Sequence, residues 1–214
     1  MFKIDIVSDI VCPWCFIGKR RLEEAIALVR RDIPDFEYTT RWLPFFLNPD
    51  TPPEGEPYLP FLEQKFGGKA RVEMLFDQIR QAGSPHGLTY AFEKITVRAN
   101  TLQAHRLLHW AQQRGSADAL AERLFSAQFQ RGEQVGDRAT LIRIGIECGY
   151  QEDELTRFLE SDDDTELVLD MAEQIQRAGV YSVPTFIFPG GRALVGAQDP
   201  GYISEVIRDM IRTA

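Results

Sequence analysis

A chain of 214 residues is longer than one typical domain and shorter than two, so its length points to one core that carries a large insertion. Hydrophobic residues at 44% and charged residues at 26% are ordinary for a globular protein and exclude collagen-like, disordered and disulfide-scaffold chains. The net charge of -8 argues against nucleic acid as a partner, because phosphates require a concentrated basic surface and Lys19-Arg20-Arg21 is the only basic cluster.

Phe2 to Val7 alternates, with Ile4, Ile6 and Val7 apolar, and predicts a short strand running into Ser8-Asp9-Ile10-Val11-Cys12. A helix follows. Pro13 suits its first turn, where a missing N–H costs nothing, and Cys15, Leu22, Ala25, Ile26 and Val29 form a stripe of period 3.6. Lys19 with Glu23 and Arg20 with Glu24 are expected as pairs on the wet face, and the helix ends before Pro34. Phe36, Tyr38, Thr40 and Trp42 alternate as a second strand that continues through Leu43-Pro44-Phe45-Phe46-Leu47, which makes a βαβ unit.

Five prolines between Asn48 and Pro60 then lead the chain away from the sheet. From about Pro57 to Gly179 the pattern is helical almost throughout, broken near Gly67-Gly68, Gly83-Ser84-Pro85, Gly115, Gly132, Gly149 and Ser161. Strand-like sequence returns at Pro184 to Phe188, turns at Pro189-Gly190-Gly191 and continues at Arg192 to Val195 as a hairpin. Asp199 caps a closing helix with Pro200 at its first position. The expected order is βαβ, a helical block, then ββα: an α/β fold with one mixed sheet and one all-helical insertion between the second and third strands. Residues 1–50 with 178–214 would form the sheet domain, and 51–177 the insertion.

The chemistry-bearing residues begin at Cys12. Unpaired backbone N–H groups and the positive dipole end favour a thiolate at the mouth of a helix. Cys15 lies one turn further along the same face, within disulfide reach. A CxxC at a strand-to-helix junction reads as a redox device. Metal is the competing reading, since Cys-x2-Cys is also zinc spacing and His105-x3-His109 would complete a Cys2His2 set. Zinc knuckles are tight turns often followed by Gly, however, whereas Phe16 follows here and the apolar stripe continues for about five turns. No metal, nucleotide or other cofactor beyond a Cys12–Cys15 disulfide is expected.

Cys12-Pro13-Trp14-Cys15 at the first helix, Val183-Pro184-Thr185-Phe186 opening the third strand, Asn100-Thr101-Leu102-Gln103-Ala104-His105 and Gly196-Ala197-Gln198 together resemble the thioredoxin superfamily in its DsbA-like form, most closely the FrnE-type branch. The resemblance spans nearly the whole chain. It implies a thioredoxin-like fold, a cis Val183-Pro184 peptide facing the dithiol, and thiol–disulfide exchange by Cys12 and Cys15. A proline without an N–H can sit beside the thiols while the Val183 backbone pairs with an extended substrate. In a reducing compartment the reductase or isomerase direction is expected. Expected partners are a disulfide-bearing protein or a small-molecule thiol, with glutathione as a co-substrate, acting on a monomer or homodimer.

Two rivals remain at this stage. One is a glutathione-dependent isomerase or transferase of the kappa-class and hydroxychromene-carboxylate isomerase type, whose members typically have serine where this chain has Cys12. The other is a zinc-stabilised or chaperone-like interaction module. Trp14, between the cysteines, offers a thiolate no charge, unlike a histidine there. Asp9 is read as a proton relay or as a helix-proximal surface or capping acid, and His105 as a packed histidine or a cleft residue. Asn100, Thr185 and Gln198 are expected as substrate contacts, with an N-cap the simplest role for Asn100 and a turn position equally open to Gln198. Phe61, Phe66, Phe76, Phe92, Phe125 and Phe129 are read as core, some of them lining a groove over the dithiol with Trp14 and Trp110. Cys148 is expected to be a bystander in apolar surroundings. No apolar run approaches the roughly 20 residues of a membrane-spanning helix, and Asp5 and Asp9 interrupt the apolar start as no secretory signal would, so a cytoplasmic location is expected. The negative charge is concentrated: Glu147 to Glu173 holds eleven acids and one base, and the remainder is close to neutral.

Overall fold

The computed structural model describes residues 1–213. Its sheet is built around β1 (Phe2–Ser8), which leads through a short turn into α1 (Pro13–Asp32) and back through β2 (Tyr38–Pro44), parallel to β1. At the other end of the chain, β5 (Thr185–Ile187) runs antiparallel to β1 and is extended by β6 (Ala193–Val195). The strand order β2-β1-β5-β6 and the closing helix α9 (Pro200–Thr213) complete a thioredoxin-like α/β fold. Ile4 and Ile6 of β1 pack on the apolar stripes of α1 and α9, and Val7 meets Leu43 and Phe45 on the opposite face. This two-residue alternation fixes the register, since a slip of one residue would turn the apolar set to solvent.

Between β2 and β5 lie β3 (Glu56–Pro57), α2 (Tyr58–Phe66), α3 (Lys69–Gly83), β4 (Val97–Arg98) and α4 (Leu102–Gln112). They are followed by α5 (Asp118–Ser126), α6 (Arg138–Glu147), α7 (Glu152–Glu160) and α8 (Thr165–Arg177). Every glycine or serine break expected in this run falls at a helix end or between helices. The helical pattern is not continuous, however. From Gly87 to Thr101 the chain is extended or turning, and β3 and β4 pair as a two-stranded ladder. With two residues in each strand, that ladder leaves no periodicity to read.

Other differences have simple physical causes. β2 starts at Tyr38 and stops at Pro44, short of the stretch read from Phe36 to Leu47, because its partner β1 runs only from Phe2 to Ser8, which pair with Tyr38 and Pro44. Lys19 is buried rather than wet: its ammonium lies 2.7 Å from Glu122 Oε2 of α5, and the insertion covers this part of α1. Arg20 pairs with Glu23 and Glu122 rather than Glu24.

The outer edge of β2 is closed by side chains. The Gln112 amide donates to Trp42 O at 3.1 Å and accepts from Trp42 N, substituting for a neighbouring strand. Asp118 at the start of α5 accepts from Thr40 Oγ1 at 2.7 Å and Trp42 Nε1 at 2.8 Å. Arg106 of α4 is fully buried, and its guanidinium donates to Phe158 O, Ser161 O and Asp163 O at 3.2, 2.7 and 2.8 Å. This clamp satisfies carbonyls at the C-terminal end of α7 and in the acidic turn before α8. Replacing Arg106 by Leu removes the guanidinium donor from Ser161 O and Asp163 O, and urea unfolding is expected to show a loss of about 3 kcal/mol.

Candidate active site

Cys12 occupies the N-cap of α1, with Pro13 at the first helical position. The β1–α1 turn is held by Cys12 N donating to Asp9 O at 3.0 Å, and Cys15 N donates to Cys12 O at 3.0 Å as the helix begins. Both thiols are free and buried, at 4% and 2% exposure, while Trp14 between them is 40% exposed. The Val183–Pro184 peptide is cis, and Cys12 Sγ lies 3.8 Å from Val183 O. A chain separation of 171 residues is thereby closed at one sulfur.

Gly18, one turn beyond Cys15, makes this approach possible. A Cβ there would sit 2.7 Å from Pro184 Cγ and 3.2 Å from the Phe186 ring, so only a hydrogen leaves room for the proline against α1. Gly18→Ala is expected to cost about 1–3 kcal/mol in denaturant unfolding and to slow reaction at Cys12, because Pro184 must move away from the helix.

Burial pushes the Cys15 thiol well above its ordinary range. Neighbouring Cys12 adds to the rise, while the Ser8 hydroxyl and the backbone N–H of Asp9 oppose it. Cys15 is therefore protonated at neutral pH until something takes its proton. In a Cys12→Ser variant, Cys15 is expected to alkylate with iodoacetamide at pH 7 more slowly than an unburied cysteine, since the thiolate is the reacting form and burial disfavours it. Mass spectrometry of the modified peptide reads this directly.

Asp9 is fully buried, so it is not a surface acid: Oδ2 accepts from Leu47 N at 2.8 Å and Oδ1 lies 3.4 Å from His105 Nε2. This carboxyl ties the β1–α1 turn to the segment leaving β2. His105 is buried, with the Phe46 ring edge-on at 5.1 Å between centroids. Asn100, Thr185 and Gln198 spend their side chains on the protein's own backbone. Asn100 accepts from Leu102 N and donates to Thr51 O, one residue before the N-cap position, which Thr101 takes. Thr185 donates to Ser182 O, and Gln198 donates to Val195 O within its turn. None of the three lines the cavity beside Cys12.

That cavity, of about 370 Å³, has Cys12, Pro13, Trp14 and Val183 on one side and α2 and α3 on the other. Its walls are mostly apolar, including Phe61, Phe66, Phe76 and Phe92. Phe125 and Phe129 are core instead, and Trp110 is buried elsewhere, against Tyr150 and Phe158. Both cysteines and both histidines of the zinc reading stay apart: among the described residues no three His, Cys, Asp or Glu side chains group as a metal site. Cys148 is half-buried at the end of α6, and burial raises its thiol too.

The structure adds residues the sequence did not signal. Tyr90 is buried and donates to Pro13 O at 2.8 Å, bracing the first turn of α1 from the extended 87–101 segment. Burial and the two nearby thiols push its phenol up. Gln128 lies on a π turn (Ala127–Arg131) at the end of α5, and Arg98 pairs with Glu56 and stacks 3.7 Å from the Phe61 ring centroid; both face the cavity. Ser8 could have been found, as the one polar residue in register with Ile4 and Ile6.

The fold and the helix-mouth dithiol define a thioredoxin-like protein, and residues 3–208 match the model of the DSBA-like thioredoxin domain. The chain belongs to that family. Among its relatives is the uncharacterized protein YwbO of Bacillus subtilis, 26% identical over 211 residues that cover 96% of each chain. The fold is shared with a probable DsbA oxidoreductase from Streptomyces coelicolor, with a TM-score of 0.90 and 24% identity over 100% of this chain and 92% of that one. It is also shared with the cytosolic disulfide reductase DsbM of Pseudomonas aeruginosa, at TM-score 0.68 and 17% identity over 99% and 100%, a protein solved with GSH as well. Among the described residues no helix is long and apolar enough to cross a membrane.

Proposed function

We propose that the protein is a thiol–disulfide oxidoreductase of the FrnE type, in which Cys12 is the nucleophile and Cys15 the resolving thiol. The observation that carries this reading is the placement of Cys12 at the mouth of α1, 3.8 Å from Val183 O, with Cys15 buried one turn behind it. The Cys12 thiolate attacks a substrate disulfide, forms a new S–S bond to one substrate sulfur and expels the other as a thiolate. Cys15, once deprotonated, attacks Cys12 Sγ and releases the second substrate thiolate. The substrate gains two electrons and the protein is left with a Cys12–Cys15 disulfide.

The supporting groups have separate tasks. Pro184 keeps a donor away from the sulfur, the Val183 backbone offers a partner to an extended substrate segment, and Pro13 fixes the turn. Trp14 supplies an apolar rim without charge. The substrate is a disulfide in a protein or small molecule, and the apolar cavity beside Cys12 favours an apolar group next to the reacting sulfur. Glutathione is the proposed recycling thiol, a role suggested by the DsbM neighbour solved with GSH. The odd cysteine count and that neighbour's cytosolic description favour a reducing, cytoplasmic setting and the reductase or isomerase direction. Residues 51–177 form the proposed insertion domain, which supplies the far wall of the cavity.

Trapping with Cys15→Ser tests the reading. The variant is expected to accumulate mixed disulfides on Cys12, identifiable by mass spectrometry, while the parent reduces insulin and Cys12→Ser does not. Absence of both adducts and insulin turnover, with one tightly held zinc per chain, would replace the redox reading with a zinc-stabilised module.

A further inference from the structure

A buried thiol that must ionise needs somewhere to send its proton. Ser8 ends β1 on the face that buries Ile4 and Ile6, and its hydroxyl has no formed hydrogen bond. It is also the side chain that opposes the effect of burial on Cys15, as a donor to the sulfur once charge develops there. His105 of α4 is equally buried, at 4% exposure, and its Nε2 is unpaired as well: the 3.4 Å contact with Asp9 Oδ1 is too poorly aligned to be a hydrogen bond. Leaving polar groups buried and unpaired works against folding, so two in one place call for an explanation.

They share a cavity. Ser8 and His105 both line an internal space of about 10 Å³, walled by Ile10, Trp42, Leu43 and Pro44, with partly exposed His109 beside it. A space of that size with polar groups on its walls has room for one water.

We propose that Ser8 Oγ, one water in this cavity and His105 Nε2 form the exit route for the proton of Cys15 during resolution of the mixed disulfide. This rests on the dithiol reading above and assigns two residues to it. Ser8 accepts the thiol proton while passing its own to the water, which protonates His105 Nε2. The Cys15 thiolate attacks Cys12 Sγ, the Cys12–Cys15 bond forms, the Cys12–substrate bond breaks, and the substrate leaves as a thiolate that takes its proton from solvent. The imidazolium is held by Asp9 Oδ1 from the β1–α1 turn. The other groups near it are the Phe46 ring after β2 and His109 one turn along α4. In this route Ser8 acts on the Cys15 thiol and His105 acts through Ser8, as a positioning residue and proton acceptor.

The test uses 5,5′-dithiobis(2-nitrobenzoate) on the reduced full chain in a Cys148→Ser background, which removes the third thiol. Attack by Cys12 releases the first thionitrobenzoate and resolution by Cys15 the second, so one stopped-flow trace reads both steps. Ser8→Ala and His105→Gln are expected to leave the first phase within about twofold and slow the second about tenfold or more. The pH profile separates proton transfer from packing. The parent's second phase is expected to rise less steeply with pH than that of His105→Gln, because a group of the protein takes the proton. In His105→Gln it keeps rising ~10-fold per pH unit with the thiolate fraction. A second phase unchanged in both variants overturns the proposal. So does one slowed with the parent's pH profile intact, or both phases slowed together. Release of no thionitrobenzoate by the parent would remove the dithiol reading itself, a result distinguishable from the others. Ser8→Ala, a loss of one buried hydroxyl, keeps the test available if His105→Gln fails to fold.

Discussion

The site depends on how closely Pro184 approaches α1. With only a hydrogen on Gly18, the proline ring reaches the helix surface one turn below Cys15, and the preceding Val183 carbonyl arrives 3.8 Å from Cys12 Sγ. β1 controls the same distance from the other side, because it pairs with β2 to position α1 and with β5 to position the proline. A displacement of the helix, the strand or the proline would change the surroundings of the reactive sulfur. This packed junction of two distant chain segments is why the fold is a precondition for the chemistry rather than a scaffold beside it.

Burial then divides the two thiols by role. Cys12 sits at the helix mouth on the wall of an apolar cavity, where a substrate sulfur can reach it, whereas Cys15 is sealed beneath and held protonated by the low-dielectric core. Ser8 and Asp9 are buried polar residues beside this end, and His105 is buried against Asp9. Placing them in the core works against stability, and the interactions elsewhere have to offset it. Arg106 shows how that is done: its guanidinium is buried as completely, yet three carbonyls receive its protons. His105 Nε2 and Ser8 Oγ have no such partners.

The helical segment covers the thiols and also shapes their approach. α2 and α3 form the far wall of the cavity, α4 carries His105 against Asp9 of the β1–α1 turn, and α5 covers Lys19. The acidic stretch from Glu147 to Glu173 belongs to α7 and α8, and its central turn is fastened by Arg106. The strongly negative part of the chain is therefore not part of the cavity walls, whose charged members Lys65 and Arg98 are cationic.

The sequence determined what local physics can write. Two-residue alternation gave β1 and most of β2, period 3.6 with Pro13 gave α1, and a helix-mouth CxxC with a distant Val-Pro-Thr-Phe gave the dithiol and its family. It also marked nearly every helix boundary, because glycine and proline act on the backbone they occupy. Only the tertiary structure decided what depends on residues far apart in the chain. Lys19 looked wet until Glu122 and the insertion covered it. Gln198 and Trp110 looked available for the cleft until their own turn and core claimed them. Tyr90, Gln128 and Arg98 gave no signal, since their importance lies in what faces them across the cavity. The depth at which Cys15, Ser8 and His105 are buried is likewise a property of packing, and no spacing along the chain encodes it.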